Sequence, residues 1–215
     1  MPIFFQPMQP TEFKMGWDIP EFDVHGLIAP NSAGEYCHSV SRRLGNCLCE
    51  ATQKHTNSLL FPPTGWYSEN ETGPCEYVKT PEHHYDWFTI DIYGIRGVPH
   101  LVALSMHMCH EDSHILRSEL MILTLMTRWN LRKKEWLFHV MVPVLLVSIR
   151  AHELRVIEAY YDDDKKELVV RYSAPFPIRP TDSQKIQQQN IDEVIRWICS
   201  KPVGDTTNFE FLKGK

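Results

Sequence analysis

The segment Val140-Met141-Val142-Pro143-Val144-Leu145-Leu146-Val147-Ser148-Ile149 limits the fold more than any other part of the chain. It is apolar except for Pro143 and Ser148, and it falls well short of the roughly 20 residues that cross a bilayer. It reads as a buried strand at the centre of a sheet, and the rest of the chain must supply its neighbours and its covers.

The neighbours are legible on both sides. Phe88, Ile90 and Ile92 alternate with Trp87, Thr89, Asp91 and Tyr93, which is the period of a half-buried strand. Gly94 to Gly97 turns the chain and His100 to Met106 returns it. Arg155 to Tyr161 and Glu167 to Ser173 form a second hairpin about the polar stretch Asp162-Asp163-Asp164-Lys165-Lys166.

Three helices are expected. The first starts near Ser32, where Ser32 and Glu35 make a capping box ahead of Tyr36, Val40, Leu44, Cys47, Leu48 and Ala51. The second is capped by Asp112 or Ser113 and carries Leu116, Leu120, Leu123 and Met126. With apolar residues on most sides, it is expected to be the central helix. The third starts near Ser183, places Ile191, Val194, Ile195 and Ile198 on one face, and is ended by Pro202 and Gly204.

The resulting order predicts an α+β fold in a single domain, residues 31–215, with a mixed and mostly antiparallel sheet packed by three helices. Residues 1–30 are rich in proline and aromatic side chains. They read as an extended arm that lays Phe4, Phe5, Phe13, Trp17 and Phe22 across that domain. Asn57 to Thr80, with Pro62, Pro63, Gly65, Gly73 and Pro74, reads as a long irregular loop.

A chain of 215 residues with 43% hydrophobic and 23% charged residues is long and apolar enough to build one core. The net charge of -5 excludes a nucleic-acid binder that works by general phosphate attraction. The one local basic run, Arg128 to Lys134, is interrupted by Trp129, Asn130 and Leu131 and reads as the solvated end of a helix. Met1 to Pro7 has neither the basic nor the long apolar region of a secretion signal, so a cytoplasmic or nuclear location is expected. The six cysteines are then reduced thiols, and the Asn70-Glu71-Thr72 sequon is a chance match.

His110-Glu111-Asp112-Ser113-His114 spells H-E-x-x-H, the local signature that resembles the zincin metallopeptidases. On a helix the two imidazoles would share one face and grip zinc, and Glu111 would activate the bound water as general base; His107 adds a third possible nitrogen ligand. Against this, a cap at Asp112 or Ser113 leaves His110 ahead of the helix, and no clear downstream glutamate ligand follows, Glu119 and Glu135 being nominal. Glu82-His83-His84-Tyr85-Asp86 is a second polar, histidine-rich spot, which fits an exposed strand entry. Asp91 raises a nuclease-like reading, but the next strand, His100-Leu101-Val102-Ala103-Leu104, lacks the glutamate and lysine such a site needs. Cys109 beside His107 and His110 fits a packed thiol better than a catalytic pair. Nucleophile-elbow, P-loop and dinucleotide-binding glycine motifs are absent.

Arg117-Ser118-Glu119-Leu120, His139 to Ser148, and Arg155-Val156-Ile157-Glu158-Ala159-Tyr160-Tyr161 resemble a family of filamentous-fungal proteins in which an "SEL" helix precedes a "PVLL-S" strand and an "R-I-EA" hairpin. The resemblance covers the C-terminal half and implies a source and a fold but no reaction.

The expectation is therefore a non-enzymatic intracellular protein without a cofactor, which recognises a protein partner through its aromatic arm and the 57–80 loop, with homo-oligomerisation left open. Its alternatives are a zinc hydrolase using Glu111 with His107, His110 and His114, and a nuclease-like fold without an intact site.

Overall fold

The computed structural model describes residues 3–11, 39–40, 43, 65–68, 87–107, 114–150, 152–162 and 165–207. Its elements are β1 (Phe5–Gln6), β2 (Trp66–Ser68), β3 (Trp87–Ile95), β4 (Val98–His107), α1 (Arg117–Leu131), a 3-10 turn (Lys134–Trp136), β5 (Val144–Ile149), β6 (Glu153–Asp162), β7 (Glu167–Tyr172), β8 (Phe176–Pro177), α2 (Gln184–Ile198) and β9 (Lys201–Pro202). The main sheet runs β2-β3-β4-β5-β6-β7, with β8 also paired to β6, and β1 pairs with β9 apart from it. All pairs are antiparallel except β4 with β5, which α1 connects as a parallel crossover.

This is the expected mixed, mostly antiparallel α+β architecture, and both predicted hairpins form. The central apolar run is a strand only from Val144 onward. Pro143 has no N–H for the ladder and sits just before it, and its carbonyl oxygen accepts from Leu101 N–H at 3.1 Å.

The strands alternate between two covers. Ile92, Leu101, Ala103, Val144, Leu146, Ile157 and Ala159 pack under α1 with Ile122, Leu123 and Met126. Val102, Leu104, Leu145, Val147, Val156 and Tyr160 point to the opposite face, under Ile191, Val194, Ile195 and Ile198 of α2. A sheet covered on both faces needs apolar residues at successive positions, which explains why β5 is apolar nearly throughout.

Several expectations are corrected. Two helices are bounded among the described residues rather than three; the segment from Ser32 lies largely outside them, although Ser39, Val40 and Arg43 are helical and Val40 is buried. α1 begins at Arg117 with Leu116 as its N-cap residue, not at Asp112 or Ser113. Leu120 is 38% exposed and therefore not a core residue. The central layer is the sheet, because α1 buries one face and turns the other outward. α2 is capped by Ser183 as expected, its Oγ accepting from Ile186 N–H at 3.4 Å, but the helix stops at Ile198 and Pro202 lies in β9. The 57–80 stretch contains β2, whose Trp66 is fully buried and donates its indole N–H to Ser200 O at 2.8 Å.

Residues 3–8 close onto residues 196–204. Phe4 and Phe5 are buried, and Phe5 stacks on Trp66 with ring centroids 6.5 Å apart. Val203 N–H donates to Phe4 O at 2.9 Å, and Met8 N–H donates to Arg196 O at 3.0 Å. Phe13, Trp17 and Phe22 lie outside the described residues. Gly204 allows this closure: its φ is +83°, and a Cβ there would stand 2.8 Å from Ile3 O and 3.0 Å from the Phe4 ring. We expect Gly204→Ala to destabilise the fold by about 1–3 kcal/mol in urea unfolding and to speed proteolysis near Phe4 and Phe5. An unchanged midpoint would show that this contact does not hold the two segments together.

Candidate functional site

The buried charged residues among those described, Glu119, Arg150, Glu153 and Arg155, converge where β4 ends, β5 ends, β6 begins and α1 starts. Glu119 sits at the third position of α1 and is completely buried. One of its oxygens, Oε2, accepts the Leu116 N–H at 2.7 Å, which caps the helix. The other, Oε1, accepts from Arg150 Nη2 at 2.7 Å and Nε at 3.3 Å. Arg150 lies one residue past β5 with no exposed surface. Its Nη1 donates to Glu153 Oε1 at 3.1 Å, and its Nη2 also donates to His114 O at 3.2 Å. Arg155 shares both acceptors, donating to His114 O at 3.0 Å and lying 3.7 Å from Glu153 Oε1. Two carboxylates and two guanidiniums thus neutralise one another in a dry corner, where an uncompensated charge would cost several kcal/mol.

His107, the last residue of β4, lies beside this network. Its Nε2 is bonded to Ser105 Oγ and its Nδ1 to Ser118 Oγ, both at 2.8 Å. Burial depresses its pKa to about 4; Glu119 opposes that shift and Arg150 adds to it. The ring is therefore neutral at pH 7.

The predicted site residues fare unequally. His107 and His114 reach the same corner, His107 by its ring and His114 by its carbonyl oxygen. His110 and Glu111 lie outside the described residues. His107 could ligate zinc only by giving up one of its hydroxyl partners. Among the described residues no group of three or more His, Cys, Asp or Glu side chains could hold a metal ion. Asp91 stands opposite Leu104, next to an irregularity in the β3–β4 register, and β4 supplies neither glutamate nor lysine beside it.

Sequence reasoning passed over Arg150 and Glu153 and considered Glu119 only as a nominal metal ligand. A usable signal was present: an arginine closing the apolar run Val144 to Ile149, with Glu153 and Arg155 one strand period apart just after it.

No protein-family profile, curated protein sequence or solved structure matches the chain.

Two measurements test the corner. Glu119→Gln leaves Arg150 short of a countercharge and is expected to cost about 3–5 kcal/mol in urea unfolding. Adding Arg150→Met should cost much less than the sum of the two single changes; simple additivity would deny the pairing. The pH dependence follows from His107. Its folded pKa lies below the unfolded value of about 6.5, so the unfolded chain takes up a proton that the folded chain refuses. That contribution is complete above pH 6.5 and is lost as pH falls toward 4, by up to about 3 kcal/mol. His107→Asn should lose less stability over that range than the wild type, and parallel curves would place the histidine's proton uptake elsewhere.

Proposed function

We propose that this chain is a non-catalytic intracellular binding protein that recognises a protein partner through an apolar surface at the end of α1. The observation that carries the reading is the exposure of Leu137 and Phe138, at 74% and 76%, directly after a 3-10 turn that is itself locked down. Trp136 is buried and donates its indole N–H to Asn130 Oδ1 at 2.8 Å, while the Asn130 amide donates to Pro99 O at 2.6 Å. The backbone that presents these two large apolar side chains is already fixed, so binding need not order it, which favours their use as anchors.

The polar corner supports the same reading. Glu119, Arg150, Glu153 and Arg155 pair with one another and with the backbone at His114 and Leu116, an arrangement suited to holding strand ends and a helix start together. The segments on which the fungal resemblance rests supply Glu119 and Arg155 to that corner, so the resemblance bears on architecture. Among the described residues no helix is long and apolar enough to cross a membrane.

A double variant, Leu137→Asp with Phe138→Asp, should keep the wild-type melting temperature, because neither side chain is buried. It should also lose the partner that the wild type retains in affinity capture followed by quantitative mass spectrometry. One zinc per chain, lost in both His110→Ala and His114→Ala, together with a hydrolytic activity abolished by Glu111→Gln, would replace this reading with the zinc-hydrolase one.

A further inference from the structure

The outward face of α1 has a composition that its surroundings do not require. Its exposed positions are Arg117, Leu120, Met121, Thr124, Arg128, Leu131 and Arg132, spaced as one side of a helix. Three arginines and three large apolar side chains occupy it, and no acidic residue does. Leu120, Met121 and Leu131 are 38%, 47% and 45% exposed. The only carboxylate within α1, Glu119, points inward to Arg150. Among the described residues no carboxylate pairs with Arg117, Arg128 or Arg132.

Beyond the helix the pattern continues. Lys133 lies 3.9 Å from the centre of the Trp129 ring and 3.8 Å from Glu135, Lys134 is exposed, and Leu137 and Phe138 follow. From Arg117 to Phe138 the chain therefore carries five basic residues and one exposed acid, on a protein whose net charge is -5. Such a local reversal of sign gives a steering field toward a negatively charged partner.

We infer that this face binds an acidic amphipathic segment of another protein, with apolar anchors along one side and glutamate or aspartate flanking them. The inference rests on the binding role proposed above and specifies the partner's chemistry. Three features favour a protein segment over an anionic lipid surface. The helical charges are guanidiniums, whose planar fork pairs two-point with carboxylates. They interleave with the apolar residues instead of flanking them. α1 is also fixed to the sheet by its other side, and its partly exposed Leu120, Met121 and Leu131 offer little depth for insertion into lipid. With 15 residues α1 is about 22 Å long, which matches an amphipathic helix of about four turns laid along it.

The test uses the full chain and three probes. The first is a fluorescent peptide of about five helical turns, with Leu and Phe at i, i+3, i+4 and i+7 and Glu at the outward positions. The second is the same peptide with Lys for Glu, and the third is vesicles containing phosphatidylserine. The acidic peptide should bind, and its affinity should fall as salt rises. Arg128→Glu with Arg132→Glu should weaken it at least tenfold, mainly through the association rate. Both positions are exposed, so circular dichroism should keep its shape, and the melting temperature should fall by only a few degrees through the helix dipole. The Lys peptide should bind far more weakly to the wild type and gain in the charge-reversed variant.

Three outcomes would overturn the inference. One is binding of both peptides alike; another is binding of vesicles but not of the acidic peptide. The third is concentration-dependent self-association in sedimentation that Arg128→Glu abolishes, which would assign the face to a second copy of the chain. The binding role itself is read separately, from capture that depends on Leu137 and Phe138. If that capture survives while the charge-reversed variant loses nothing, only the acidic chemistry is wrong.

Discussion

The fold depends on one buried carboxylate meeting two requirements at once. Glu119 caps the first turn of α1 through Leu116 and neutralises Arg150, and each task holds it in place for the other. Because Arg150 continues to Glu153 and to the His114 carbonyl, the same few bonds fix where α1 starts, where β5 stops and where β6 begins. In a dry corner this arrangement is close to all-or-none: complete, its charges cancel; with one member removed, a charge is left with neither water nor partner. The parallel β4–β5 crossover is set by this corner as well as by the apolar packing beneath it.

The second constraint is the closure of the segment around Phe4 and Phe5 on the segment from Arg196 to Gly204. Phe4 and Phe5 fill a space bounded by Trp66, His100, Tyr160 and the backbone at Val203 and Gly204. His100 shows how little water reaches this region. Its pKa is lowered to about 4 by burial, even though the Val203 and Phe4 carbonyls favour the charged form. The ring therefore serves as a neutral, aromatic spacer between the sheet and the arm, with Nε2 bonded to Val203 O at 3.2 Å.

These two constraints separate groups that look chemical from groups that are available. Residue types usually associated with catalysis (Glu119, Glu153, His107 and the arginines) are spent on internal bonds. The residues presented outward on a rigid base are leucines, a phenylalanine and the arginines of α1. A helix tied down on one face cannot move to hide the other, so an exposed apolar strip on it persists in water unless something covers it. This contrast underlies the recognition role proposed for α1 and the turn after it.

What the sequence determined by itself was the sheet: the alternation in Trp87 to Tyr93, the apolar run ending at Ile149, the hairpin about Asp162 to Lys166, and the amphipathic helix after Ser183. These signals depend on near neighbours in the chain, and a side-chain period of two or of 3.6 is written directly in the residue order. The start of α1 was misplaced because Asp112 and Ser113 are good local caps, whereas the cap in use is Glu119, three residues inside the helix and held there by Arg150, 31 residues on. Leu120 fits the apolar period of α1 yet lies 38% exposed, because periodicity shows that a helix has an apolar side but not how far that side extends or which flank meets the sheet. The interrupted basic run from Arg128 to Lys134 dissolved into a helix face only once α1 was seated, with Asn130 turned inward to Pro99 and Arg128, Leu131 and Arg132 turned out. Which charges cancel in the core and which remain exposed is decided by distances across the fold, and residue order alone carries no such distances.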